Sequence, residues 1–279
     1  MVEVSRNPVA DDAGIYEIRG RQPRPHVRRD RRGFFIVTLI RSAIFDVSYF
    51  VWTLLVSVAL VPVLVLPRPC MVMGKRIWTG GIVFLGRWIM GIRYEVRGLE
   101  HLPKGPVILA VKHQSAWDTF FFDSVLPDAV YVLKKELLSI PFVGWHMRKT
   151  EMIALDRAAG VKSMHLLMQK ARATLAAGRQ IVIFPEGTRT APGTSGRYMP
   201  GLAMLAAGVD APVVPVALNS GLYWSRNAFL KRPGTIVVEF LPAMPKDLDR
   251  RVFLNELQSR IEMATRALEA EGRQALSAA

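Results

Sequence analysis

The sequence has a single cysteine in 279 residues and is short of acidic side chains. Because Cys70 has no second cysteine to pair with, an internal disulfide is excluded and a reducing compartment is expected. No cluster of cysteine and histidine has the spacing of a zinc site, so we also expect a site without metal. With 37 lysines and arginines against 23 aspartates and glutamates, the formal net charge is +14. This excess favours a polyanionic partner: a membrane surface, a nucleic acid or an acidic carrier protein.

Hydrophobic residues, in contrast, make up 51% of the chain, which is enough for a sizeable buried core. They are unevenly distributed. The first 33 residues are polar, and eight arginines stand between Arg19 and Arg41 against one acid, Asp30. We therefore predict a flexible basic arm over residues 1–33. It is either a solvated tail without a specific partner or an arm attracted to anionic lipid head groups, at roughly 1 kcal/mol per charge.

A long uncharged run follows the basic arm. Val47 to Leu66 is twenty residues without a charge, long enough to cross the hydrocarbon region of a membrane. Pro62 and the preceding Asp46 argue against a simple spanning helix, and basic residues flank the run on both sides. A re-entrant or interfacial helical hairpin fits this pattern. We predict a membrane-associated helical segment over residues 34–93, which docks the protein on the membrane and is dispensable for the chemistry itself.

From Tyr94 onward, short β-branched runs alternate with helical stretches. The alternation predicts an α/β domain over residues 94–279, with a largely parallel central sheet flanked by helices. The clearest helices are predicted over Val161 to Ala177 and Val252 to Leu268. Six strands are predicted: Val107–Val111, Val130–Leu133, Met152–Leu155, Ile181–Phe184, Val213–Leu218 and Thr235–Phe240.

A histidine and an aspartate stand just after the first of these strands. His113 and Asp118 are five residues apart, so on a continuous helix they would point about 140° apart. They can meet only if the chain turns between them and a helix begins near Asp118, which is a preferred cap residue. A carboxylate bonded to one imidazole nitrogen fixes the tautomer and leaves the other nitrogen as a base. Taken alone, such a pair is also common by chance.

A second motif, running from Phe184 through Pro-Glu-Gly-Thr to Arg189, follows the predicted strand Ile181–Phe184. A loop at the carboxyl end of a buried strand faces the usual ligand crevice of an α/β sheet. Gly187 permits close approach of the backbone, and Arg189 offers a planar fork suited to a phosphate. Taken alone, this motif is equally compatible with an ordinary turn and a solvated arginine.

Together these motifs resemble the glycerolipid acyltransferase family, and specifically its bacterial 1-acylglycerol-3-phosphate acyltransferases. The family hallmark of histidine, four residues and aspartate stands here as His113 to Asp118. Segments similar to the family also occur between the first two blocks, at 134–137 and 141–145. The resemblance covers roughly residues 98–218. Four blocks stand in the family's order: His113–Asp118, Ile153–Arg157, Glu186–Arg189 and Val213–Leu218.

The resemblance implies an enzyme that transfers a fatty acyl group from acyl-CoA or acyl carrier protein to the sn-2 hydroxyl of lysophosphatidic acid. It implies that His113 is the base, that Asp118 orients it, and that no cofactor is needed. Glu186 is expected to hold the glycerol backbone or the loop. The implied location is the cytoplasmic face of the cell inner membrane. Substrate binding is implied for Glu186, Gly187, Thr188, Arg189, Arg157 and Lys135.

Three positions depart from the family pattern. Lys112 stands where the family usually has asparagine, and Ala154 and Leu155 stand where an aromatic residue is common. Met199-Pro200-Gly201 replaces a more usual Lys-Gly pair, which removes one basic contact expected to the acceptor phosphate.

Two other functions stay open at this stage. One is an acyltransferase for another lysolipid, such as lyso-ornithine lipid. The other is a basic membrane-binding or nucleic-acid-binding protein without catalysis. No nucleic-acid module is recognisable in the sequence, and its arginines cluster beside an apolar segment instead of alternating with stacking aromatic residues. A nucleic-acid partner is therefore not expected.

Overall fold

The structure, a computed structural model, describes residues 31–156 and 159–278. Most of the predicted basic arm therefore lies outside the described residues, as does Arg157. The α-helices of the described residues are α1 Arg31–Ala59, α2 Arg68–Leu85, α3 Asp118–Val125, α4 Val143–Lys149, α5 Gly160–Ala176, α6 Gly201–Gly208 and α7 Arg250–Ala278. The strands are β1 Ile92–Arg97, β2 Val107–Val111, β3 Ala129–Lys134, β4 Ile153–Leu155, β5 Gln180–Ile183, β6 Val213–Leu218 and β7 Gly234–Phe240.

These strands form one sheet in the order β1-β7-β6-β2-β5-β3-β4. Strands β6 and β7 are antiparallel, and every other neighbouring pair is parallel. The predicted α/β fold with a largely parallel sheet is confirmed. Because β2 and β5 are parallel neighbours, their carboxyl ends meet at the same edge of the sheet. That edge carries both motifs.

The sheet separates two hydrophobic cores. Leu109 of β2 faces a core that includes Phe45 of α1 and Phe121 of α3. Its neighbour Ile108 faces the opposite core, with Leu257 of α7. This alternation follows the two-residue period of a strand, and it explains why a run of five apolar residues is needed where both faces are covered.

One strand, β1, was not predicted from the sequence. Strand β1 lies at the edge of the sheet, and Arg93, Tyr94 and Glu95 within it are exposed. A strand with so few buried positions gives little hydrophobic signal. It begins at Ile92, so it crosses the boundary predicted between residues 93 and 94.

Helix α1 begins and ends earlier than the uncharged run predicts. The run Val47–Leu66 predicts the membrane segment, but α1 ends at Ala59, and Phe35–Ala59 is the described stretch long and apolar enough to span a membrane. The helix ends before Pro62, which lacks an N–H group and begins a short 3₁₀ turn. Asp46 is tolerated inside the helix because Lys231 forms an ion pair with its carboxylate.

Helices α1 and α2 form a hairpin. Trp52 Nε1 donates to the Trp78 carbonyl at 3.0 Å, and Trp78 Nε1 donates to Thr53 Oγ1 at 3.2 Å. The outer face of α1 leaves a row of large apolar side chains exposed, as a membrane-facing helix does. These are Phe35, Ile36, Val37, Leu39, Ile40, Ile44, Val47, Phe50, Val51, Leu54, Leu55 and Val58.

Candidate active site

His113 and Asp118 meet at the carboxyl end of β2. The chain turns between Val111 and Asp118, and His113 Nδ1 lies 3.0 Å from Asp118 Oδ2. The ring of Phe184 stacks on the imidazole, with 3.9 Å between ring centroids and 19° between the planes. The carboxylate occupies one nitrogen and the stacked ring fixes the plane, so Nε2 is the nitrogen available to a substrate.

The carboxylate of Asp118 also holds the turn in place. Its Oδ2 accepts hydrogen bonds from the backbone N–H groups of Gln114 and Ser115, both at 2.8 Å. Its Oδ1 accepts from Ser220 Oγ at 2.6 Å. The expected cap geometry is wrong: Asp118 is the first residue of α3, and its carboxylate turns back onto the preceding loop. One buried side chain therefore shapes the loop and orients the imidazole.

Glu186, the third residue of the second motif, is buried, with 6% of its surface exposed. Its Oε1 accepts from Lys112 Nζ at 2.7 Å and from the Gly196 N–H at 2.9 Å. Its Oε2 accepts from the His113 N–H at 3.3 Å. Of the two roles expected for Glu186, these contacts match the holding of the loop. Lys112, which departs from the family pattern, is the cation that compensates this buried carboxylate.

The rest of the second motif forms the loop beside the histidine. Gly187 has a φ of 64°, in the left-handed region that favours glycine. The Thr190 N–H donates to the His113 carbonyl at 2.8 Å and so ties this loop to the end of β2. Thr188 is exposed and Arg189 is half-buried. Arg189 therefore stands one residue before the point at which this loop is tied to His113.

A largely apolar cavity of about 970 Å³ opens beside His113. This volume is near the top of the roughly 300–1,000 Å³ range of small-molecule sites. One wall comes from the hairpin, including Thr53 and Ser57 of α1 and Trp78 of α2, and Gly187, Thr188 and Arg189 line the same cavity. The hairpin therefore builds part of the site. This wall argues against the expectation that the hairpin is dispensable for the chemistry, which stays a prediction.

A buried ion pair connects the hairpin to the α/β domain. Lys75 Nζ of α2 lies 2.7 Å from Asp123 Oδ1 of α3 and donates to the Ala129 carbonyl at 2.6 Å. Burial raises the pKa of the Asp123 carboxyl, and the charge of Lys75 opposes that rise. Both side chains line the cavity. The wall formed by α2 is thus fixed to α3 by an ion pair and to β3 by a hydrogen bond.

The remaining predicted binding residues are placed differently. Lys135 is not among the described residues that line the cavity, and its Nζ lies 3.6 Å from Asp156 on the surface. Its neighbour Lys134 lines the cavity instead. Arg157 lies outside the described residues.

Two residues of the site carried no sequence signal. Ser220 reaches Asp118 from a turn 102 residues later in the chain. Arg226 lines the cavity, and its Nη1 donates to the Arg189 carbonyl at 3.0 Å. Neither belongs to a recognisable motif, because each is brought to the site by the loop that follows β6.

An imidazole held by a carboxylate thus lies at the wall of an apolar cavity that Arg189 also lines. Residues 93–219, which include His113, Asp118 and Arg189, match the family model described as Acyltransferase. The 1-acyl-sn-glycerol-3-phosphate acyltransferase of Pseudomonas aeruginosa is 40% identical over 185 residues, 66% of this chain and 72% of that protein. The enzyme of that name from Limnanthes alba is 31% identical over 226 residues, 78% of each chain. The chain therefore belongs to the 1-acyl-sn-glycerol-3-phosphate acyltransferase family.

This membership confirms the prediction of an acyltransferase of lipid metabolism. More distant relatives include the human 1-acyl-sn-glycerol-3-phosphate acyltransferase alpha, 28% identical over 203 residues and 70% of each chain. The crystal structure of the 1-acyl-sn-glycerophosphate (LPA) acyltransferase PlsC of Thermotoga maritima superposes with a TM-score of 0.68. It is 19% identical and covers 84% of this chain and 98% of that one, so it shows the shared fold.

Proposed function

We propose that the protein transfers a fatty acyl group from the thioester of acyl-CoA or acyl carrier protein to the sn-2 hydroxyl of lysophosphatidic acid, giving phosphatidic acid. The observation that carries this proposal is the 3.0 Å contact between His113 Nδ1 and Asp118 Oδ2 at the wall of the apolar cavity. The names of the relatives supply the acceptor.

The geometry supports direct transfer. His113 Nε2 takes the proton of the acceptor hydroxyl while that oxygen attacks the thioester carbonyl. The Nδ1–H stays bonded to Asp118, whose charge stabilises the imidazolium. When the tetrahedral intermediate collapses, the C–S bond breaks and the thiolate takes the proton from the imidazolium. An ester and a free thiol are formed, and no bond to the protein is needed.

Two arginines support a phosphate-bearing acceptor. Arg189 and Arg226 both line the cavity that contains His113. A guanidinium matches phosphate geometry through paired N–H groups. The charge of Arg189 is also close enough to act on the hydroxyl of Tyr49 in α1. The proposed phosphate site thus lies between the hairpin and the loop after β5 that carries Arg189.

The exposed apolar face of α1 and the net charge of +14 support docking on an anionic lipid surface. We place the protein on the cytoplasmic face of the inner membrane, where an acceptor held in the bilayer meets a donor made in the cytoplasm. This location also accounts for a cavity wall made by the membrane-facing hairpin.

A substrate panel tests the proposal. Purified protein in detergent is offered lysophosphatidic acid, lysophosphatidylcholine and lyso-ornithine lipid, with acyl-CoA or acyl carrier protein as the donor. We expect phosphatidic acid to be the main product by mass spectrometry. A preference for lyso-ornithine lipid would instead identify a different lysolipid acyltransferase.

Replacing Arg189 should raise the KM for the acceptor and leave the KM for the donor nearly unchanged. Loss of charge-assisted hydrogen bonds worth about 1.5–3 kcal/mol should raise the KM for lysophosphatidic acid by roughly 10- to 100-fold in Arg189→Ala. Arg189→Lys should recover only part of this loss, because a point charge lacks the fork geometry. Arg260→Ala, on the surface of α7, is the control. A larger change in the KM for the donor would place Arg189 in the thioester site.

Asp118→Asn should fold but turn over slowly. The amide oxygen can accept the bonds from Gln114, Ser115 and Nδ1–H, and the amide N–H can donate to Ser220. What is lost is the charge that stabilises the imidazolium, so kcat should fall by at least about tenfold. Steady-state kinetics and the thermal unfolding midpoint are measured together. Unfolding of this variant would show that the carboxylate acts mainly on the loop.

A further inference from the structure

Two buried glutamates of α7 hold the residues on either side of His113. Glu262 Oε1 accepts from Lys112 Nζ at 2.7 Å, and Glu269 Oε1 accepts from Gln114 Nε2 at 2.7 Å. The two glutamates are 5% and 1% exposed. Because they stand seven residues apart, they lie on the same face of the helix. Helix α7 follows the region of residues 93–219 that the family model matches.

The first of these contacts belongs to a buried charge cluster. Lys112 is fully buried, and its Nζ also contacts Glu186 Oε1 at 2.7 Å and donates to the Thr194 carbonyl at 3.1 Å. Tyr198 Oη donates to Glu262 Oε1 at 3.2 Å. Burying charges is costly, and apolar side chains of similar volume often stabilise a core as well or better. Stability alone therefore does not account for a lysine and two glutamates at this place.

The second contact belongs to a chain of hydrogen bonds that ends on the catalytic carboxylate. Gln114 Oε1 accepts from the Gly221 N–H at 3.1 Å, while its Nε2 donates to Glu269. Ser220, the residue before Gly221, donates to Asp118 Oδ1 at 2.6 Å. Both polar atoms of the Gln114 amide are thus bonded, one to α7 and the other to the loop that supports Asp118.

We propose that Glu262 and Glu269 are positioning residues that hold the backbone at His113, so that its imidazole keeps its place between Asp118 and the substrate. Neither glutamate lines the cavity, so each acts through the residue beside His113 that it holds, Lys112 or Gln114. A displacement of about 1 Å at the reacting group can cost roughly a hundredfold in rate, so a small shift of this loop matters. The inference rests on the proposed role of His113 as the base.

Leucine and glutamine variants at the two positions test the proposal. Glu262→Leu and Glu269→Leu remove the acceptor oxygen at nearly constant volume, and kcat should fall by at least about tenfold, with both KM values changed by less than about twofold. Glu262→Gln and Glu269→Gln keep an oxygen that can accept the same hydrogen bond. They should retain kcat within about threefold of the original protein.

Matched controls lie on the same helix. Glu256 pairs with Arg260, and Glu271 pairs with Arg97. Both ion pairs are on the surface, and neither includes a residue that contacts Lys112, His113 or Gln114. Glu256→Leu and Glu271→Leu should keep kcat within about twofold, since surface substitutions of this kind change little. His113→Ala is assayed in parallel. If that variant stays active, the proposed base is wrong, whereas a failure confined to the α7 variants concerns the positioning alone.

The proposal is overturned if the folded leucine variants keep their original kcat, if KM rises instead of kcat falling, or if glutamine rescues nothing. Should Glu262→Leu fail to fold, Glu269→Leu carries the test, because it leaves only the neutral amide of Gln114 without its acceptor. Arg273, which also pairs with Glu269, is exposed, so no buried charge is left unpaired. The kcat of Glu269→Leu should be reduced by at least about tenfold, and an unchanged kcat would overturn the proposal.

Discussion

His113→Ala should lower kcat by at least roughly a hundredfold, the contribution expected of a positioned general base. The imidazole stands at the end of a fully buried strand, and its Nδ1 is held by a carboxylate that accepts three further hydrogen bonds. Its own contribution to packing is small beside that of the core under the sheet. The thermal unfolding midpoint should therefore change little, and the loss should appear in kcat.

A second histidine in the same cavity supplies the control for this test. His146 also lines the cavity, and burial lowers the pKa of its imidazole. His146→Ala removes the same kind of side chain from the same cavity. A difference in kcat between the two variants therefore reflects where each histidine lies. We expect it to keep kcat within about threefold, because no transition-state contact is lost. Near-normal turnover in His113→Ala would show that another group accepts the proton.

The edge of the sheet that carries the two motifs could be predicted because its signals are local. The strand β2 and the motif after β5 each consist of a continuous apolar run followed by polar residues, and parallel pairing brings the two ends together. The spacing of His113 and Asp118 showed that they can meet only if the chain turns between them, and it does. What the spacing did not indicate is that Asp118 accepts hydrogen bonds from the loop before it.

The supports of the site could not be predicted, because they come from distant parts of the chain. The side chains that hold Lys112, Gln114 and Asp118 come from the chain after β6, and no fixed spacing relates them to His113. They are Ser220, Glu262 and Glu269. The uncharged run Val47–Leu66 does not mark the start of α1 for a similar reason. Asp46 interrupts the uncharged run in the sequence, and its neutralising partner Lys231 lies 185 residues away.

Helices α1 and α2 are joined to the α/β domain as well as to each other. Phe45 of α1 and Ile82 of α2 are both fully buried in the core beneath the sheet. Ser57 of α1 lines the cavity and is 5% exposed. Exposed Leu54 and Leu55, in contrast, are not among the residues lining the cavity in the described part of the chain. The same helix thus has an exposed apolar side and a side that lines the cavity.

Deletion of residues 1–91 should therefore abolish transfer, both to an acceptor in vesicles and to a short-chain soluble acceptor. The deletion removes one wall of the cavity and the core residues Phe45 and Ile82. Deletion of residues 1–30 is the control, because it keeps both helices and removes much of the basic arm. It should weaken binding to anionic vesicles, at about 1 kcal/mol per arginine near the surface, and leave turnover of the soluble acceptor unchanged.

Point substitutions on the two sides of α1 make the same test without a truncation. Leu54→Ser with Leu55→Ser should reduce vesicle sedimentation and turnover on vesicles, while turnover of the soluble acceptor stays within about twofold, because only exposed apolar area is lost. Ser57→Trp fills part of the cavity from the opposite side of the helix. It should lower turnover of both acceptors by at least about tenfold, because the indole occupies space beside His113 that the substrates need. If the 1–91 deletion stays folded and active on the soluble acceptor, and Ser57→Trp is harmless, the hairpin is a docking device and the cavity wall must be assigned elsewhere.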